Sequence, residues 1–132
     1  MKTERHLENL KESIRKIDEA VKEGIGHNQR TIGFHTSAAT ADMIEIILHD
    51  RNLITPGSLI KHEWLNSSHK IKEKIPAEFP QKEEIIHLAT NIESWRNKFC
   101  YGKKRDEQVL EKVITDFNRL KQIFLEVTSH EL

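Results

Sequence analysis

The chain has 132 residues, long enough for one domain that buries a modest core without disulfides or a structural metal. Lys and Arg together number 21 against 21 Asp and Glu, which excludes a global field drawing the chain onto nucleic acid or an anionic membrane, so that any RNA site must be local. Charged residues at 32%, apolar residues at 36% and few Gly or Pro favour helices over a turn-rich sandwich or barrel.

From Thr3 to about Gly24, Leu7, Leu10, Ile14, Ile17 and Val21 alternate at three- and four-residue spacings, the stripe of a first helix of about six turns. Charged residues such as Glu8, Lys11, Arg15 and Asp18 cover its solvated faces, and Gly24 with Gly26 supplies a stop. Asn28 is placed to cap a second helix running through Ile32, Ala38, Ala39, Met43, Ile46 and Ile47 to about His49 or Arg51. Its first half is small, from Gly33 through Thr36, Ser37, Ala38, Ala39, Thr40 and Ala41, so another backbone can approach closely. This helix is expected at the centre of the fold, with Arg30 and His35 drawn inward in structural roles.

Ile54-Thr55-Pro56-Gly57 reads as a turn. Ser58 then looks like the N-cap of a third helix, whose weaker stripe of Leu59, Ile60, Trp64, Leu65, Ile71 and Ile75 reaches Pro76 with a break near Asn66-Ser67-Ser68. Pro76 to Pro80 forms a rigid connector, because each proline disfavours helix in the residue before it. A fourth helix from about Lys82 to Tyr101 carries the most regular pattern, Ile85, Leu88, Ile92, Trp95 and Phe99. After Gly102, Asp106 caps a fifth helix with Val109, Leu110, Val113, Phe117, Leu120, Phe124 and Val127, and the tail from Ser129 to Leu132 is expected to fray. With no internal repeat and short connections, the expectation is a single all-α domain over residues 1–132, an antiparallel up-and-down bundle of four to five helices.

No apolar run approaches the length of a signal or spanning segment, and lone Cys100 offers neither an internal disulfide nor a Cys-x-x-Cys pair, so a cytosolic (cytoplasmic) protein that does not enter a membrane is expected. Eight histidines invite a metal, but His62-Glu63 and His69 lack the i, i+4 spacing of a helical zinc pair; no metal and no cofactor are expected. His87 lies thirteen residues from Cys100 on the same predicted helix, too far to activate its thiol. Neither a Gly-rich phosphate loop nor a Ser-His-Asp signature is present, which leaves most enzyme classes without support. What remains is a cluster at the end of the fourth helix: Arg96, Asn97 and Tyr101, joined by Lys98, Lys103, Lys104 and Arg105. An arginine fork donates parallel hydrogen bonds to phosphate oxygens and stays ionised, and Asn97 could orient the same group or a sugar hydroxyl. Tyr101 stands about 140° around the helix from Arg96, so the two meet only if the helix end unwinds or a second subunit supplies one of them.

The small-residue helix from Phe34 to Leu48, then Pro56-Gly57, Lys61-His62-Glu63, and Glu93-Ser94-Trp95-Arg96-Asn97 before the last helix resemble the HEPN family (higher eukaryotes and prokaryotes nucleotide-binding domain) of archaea and bacteria over most of the chain. The resemblance implies a homodimeric helical bundle that acts as a metal-independent ribonuclease, or as the toxin of a toxin-antitoxin pair with a small nucleotidyltransferase. In it, Arg96 would bind and polarise the scissile phosphate and Asn97 would be the polar residue that follows it; from the charge cluster itself, Lys98, Lys103 and Lys104 are expected to join Arg96 in binding the substrate. Where the family's Arg-Asn-x-x-x-His site has His, this chain has Tyr101, whose ordinary pKa near 10 makes it a poor general base at neutral pH. Three readings stay open: a nucleotide- or RNA-binding module partnered by a small nucleotidyltransferase, with Tyr101 bonding a 2′-hydroxyl or serving as its modification target; an active ribonuclease using Arg96 and Tyr101; and a non-catalytic protein-interaction module.

Overall fold

The computed structural model describes residues 2–55 and 58–132. Among them are five α-helices and no strand: α1 (Lys2–Glu23), α2 (Gln29–Asp50), the short α3 (Ser68–Lys74), α4 (Lys82–Tyr101) and α5 (Glu107–Val127). Single 3₁₀ turns occupy Ile25–His27 and His62–Asn66. The protein is thus an all-α bundle, and among the described residues no helix is long and apolar enough to cross a membrane.

Helix α2 packs against α1, α4 and α5, as its small residues predict. Gly33, Thr36, Ser37, Ala39, Thr40 and Ala41 are buried. The Thr36 and Thr40 hydroxyls donate to the carbonyls of Ile32 and Thr36, both at 2.7 Å, so these buried polar groups are satisfied within the helix. At Gly33 a Cβ would stand 2.5 Å from the Cβ of Phe99, which makes glycine the residue that permits the α2–α4 crossing.

On α1 the buried line is Leu10, Ser13, Ile17 and Ala20, while Val21, expected in the core, is exposed. The line is rotated from the aliphatic stripe toward two small residues, which let α1 approach the small face of α2; Leu7 and Ile14 pack at its edge. The contacts have a clear register: His6 meets Asp42, Ser13 meets His35, and Asn28 reaches back to Ala20 and Gly24. Asn28 holds the N-cap position of α2 without a side-chain cap; its Nδ2 instead donates to the Gly24 carbonyl at 2.9 Å, satisfying the end of α1.

The third element departs most from expectation. Ser58 caps nothing, its hydroxyl pairing with that of Thr55, and the segment after it is not helical until the 3₁₀ turn at His62. The backbone N–H of Ile60 donates to the buried Glu45 carboxylate, a tertiary bond that pins this segment. Ser67 is the true cap of α3, accepting from the Lys70 N–H, so the break expected near Asn66-Ser67-Ser68 is the point where helix begins. The turn at Pro56-Gly57 lies outside the described residues. Helix α4 has the expected bounds, with Ile85, Leu88, Ile92 and Phe99 buried. Asp106 holds the N-cap position of α5 in extended conformation but makes no side-chain cap bond. The tail is tied down where fraying was expected: His130 Nε2 lies 2.8 Å from Asp50, and its ring stacks on Phe124.

Candidate functional site

The residues singled out in the sequence gather where α4 ends, the 102–106 loop turns, and α2 begins. Trp95 is half-buried because its ring stacks on buried Phe99, with centroids 5.4 Å apart. Its face carries two cations, Lys98 Nζ at 4.7 Å and the Arg105 guanidinium at 5.8 Å from the ring centre. Gln29 ties the loop to α2: its Nε2 donates to the Lys103 carbonyl at 3.0 Å, and its Oε1 accepts from the Arg105 N–H at 2.7 Å. Arg30, the next residue, is exposed rather than drawn inward, and its guanidinium lies over the ring of Tyr101 at 5.8 Å. Tyr101 is 74% exposed.

Arg96 is half-buried, and the Nε–H groups of both Arg96 and Arg105 are buried without a hydrogen-bond partner. Cys100 lies between the α2 and α4 arginines: burial pushes its thiol pKa up, while Arg96 and then Arg30 pull it back, and Glu93 adds to the rise. A thiol so raised stays protonated at neutral pH and is a weak nucleophile. Among the described residues, none of Arg30, Arg96, Lys98, Lys103, Lys104 and Arg105 is paired with a carboxylate. Asn97 is exposed and makes no side-chain hydrogen bond among these residues. The structure therefore brings Arg96, Lys98, Lys103, Lys104 and Arg105 to one corner and adds Arg30 and Gln29, which sequence reasoning had not placed there. Tyr101 pairs with Arg30 through its ring.

A second polar site, which sequence reasoning missed, lies at the other end of α1. A cleft of about 380 Å³ between α1, α2 and the 59–62 segment is lined by His6, Ser13, His35, Asp42, Glu45 and His62, among others. His6 places Nδ1 2.8 Å from Asp42 and Nε2 against Glu45. Burial pushes the Asp42 carboxyl above its ordinary range, and the His6 hydrogen bond opposes that shift. His35 Nδ1 lies 3.1 Å from the Ser13 hydroxyl, and burial lowers the His35 pKa against a smaller opposing pull from Glu12. Beside the cleft, buried Glu93 accepts from the Ser37 hydroxyl at 2.5 Å, and His62 Nδ1 is 3.1 Å from that hydroxyl. The available signal was Glu45 itself: a carboxylate inside the apolar run Met43 to Leu48 must be paired if it is buried.

Compared with known protein families, with curated proteins and with solved structures, the chain finds no match.

Proposed function

We propose that the chain is a HEPN-like module that binds phosphate groups of RNA or of a nucleotide at the corner formed by the end of α4 and the start of α2. The single observation that carries this is the group of Arg30, Arg96, Lys98, Lys103, Lys104 and Arg105 without carboxylate partners among the described residues, in a chain whose net charge is zero. Exposed Tyr101 supplies a surface on which a base can stack, the usual complement to a cationic groove for single strands.

Binding rather than cleavage is the reading favoured here: where the family's site has His, this chain has Tyr101, whose ring lies against Arg30. The register between α1 and α2 supports the antiparallel up-and-down arrangement of a HEPN-like bundle. A homodimer with its two Arg96 sites at the interface, and a small nucleotidyltransferase as partner, belong to the same proposal through the resemblance carried by Glu93 to Asn97. Fluorescence anisotropy with a labelled single-stranded RNA tests the site: Arg96→Ala should weaken binding by about tenfold or more, the size of a lost charged hydrogen bond. Equal affinity in that variant would remove Arg96 from the site.

A further inference from the structure

We infer that His6, Asp42 and Glu45 form a binding site for one divalent transition-metal ion of the zinc type. The argument is independent of the phosphate corner and rests on geometry. His6 Nδ1 lies 2.8 Å from an Asp42 oxygen and its Nε2 is in contact with a Glu45 oxygen, so one imidazole touches two carboxylates. A divalent cation held among the three would neutralise buried Glu45 and partly buried Asp42, the compensation such acids need. Glu45 is 3% exposed.

The ligand atoms of His6, Asp42 and Glu45 all lie within 4.8 Å of one another. An ion about 2.0–2.2 Å from each ligand spans about 4 Å, so small side-chain adjustments close the set. The chemistry of one imidazole and two carboxylates suits an ion of intermediate softness rather than one that takes oxygen alone. Supporting contacts are already in place: the second Glu45 oxygen accepts from the Ile60 N–H, fixing the carboxylate as outer partners do around metals. The adjoining cleft of about 380 Å³ has room for waters to complete the coordination sphere.

A second observation points the same way. Asp42, Glu45 and His49 follow at three- and four-residue steps along one stripe of α2, and the His49 ring stacks on His6 with centroids 6.2 Å apart. Its Nε2 is buried with no hydrogen-bond partner, a polar atom left unsatisfied beside the cluster. Bundles build metal sites in this manner, from side chains on facing helices. Because the ligands come from α1 and α2, no short sequence motif announces them.

Isothermal titration of Zn²⁺ into the intact, chelator-stripped chain is the test, with Co²⁺ as a spectroscopic stand-in. The expected result is saturation at one ion per chain and a visible Co²⁺ absorption band. Asp42→Asn and His6→Asn should each lower affinity by at least about tenfold. Glu45→Gln, which keeps an oxygen for the Ile60 N–H, should do the same and serves where His6→Asn fails to fold. His69→Ala, at an exposed His69–Glu73 pair, should leave binding unchanged. Absence of saturable uptake, uptake unaltered by the cluster variants, or uptake lost only with His69→Ala would overturn the site.

Discussion

His35 shows how one side chain links packing to pH. Its ring is held half inside the α1–α2 contact by Ser13, and burial lowers its pKa below the ordinary value of 6.5. In the window between that lowered value and 6.5 the unfolded chain binds more protons than the folded one, so the stability contributed there is complete above 6.5 and is lost as pH falls through the folded-state pKa. Urea unfolding at about pH 7.5 and about pH 5 should therefore show wild type losing more stability on acidification than His35→Gln. Equal losses in the two chains would mean that His35 titrates alike in both states. At this scale the sequence was a partial guide: it marked Arg96 and Lys98, but not Arg30, which reaches the same corner from a helix nearly seventy residues earlier. Nor could it pair His6 with Asp42 and Glu45, since those contacts exist only once α1 lies on α2.

Among elements, the α2–α4 crossing sets the geometry of the cationic corner. Phe99 sits against Gly33, and Trp95, stacked on Phe99, carries Lys98 and Arg105. Gly33→Ala forces two Cβ atoms to 2.5 Å unless a helix shifts, so a loss of about 1–3 kcal/mol is expected, read as a lower urea midpoint at unchanged slope. A variant as stable as wild type would show that the helices can part without cost. Helix α4 was legible to its bounds because its apolar period persists through five turns of packing on both sides. The segment from Ser58 to Asn66 was not legible as extended chain and a 3₁₀ turn. There Glu45, fifteen residues earlier, accepts from the Ile60 N–H and holds the segment against α2, and local pattern carries no trace of that bond.

For the whole molecule, balanced charge and a local cation group make a specific demand: under the proposed function, any attraction to RNA must come from one corner and not from the surface at large. The proposed dimer adds a second demand, two such corners on one particle. Light scattering at micromolar concentration should give twice the 15.5 kDa chain mass, and a monomer mass would contradict the paired site. The salt dependence of single-stranded RNA binding tests the phosphate corner most directly. If four cations replace counterions, affinity should fall about 50-fold between roughly 50 and 200 mM salt. In Arg30→Ala/Arg96→Ala the slope should flatten by about half, while Arg119→Ala, whose guanidinium is paired with Glu84, should keep the wild-type slope. A slope that is flat in wild type, or unchanged in the double variant, would contradict a phosphate site at the end of α4.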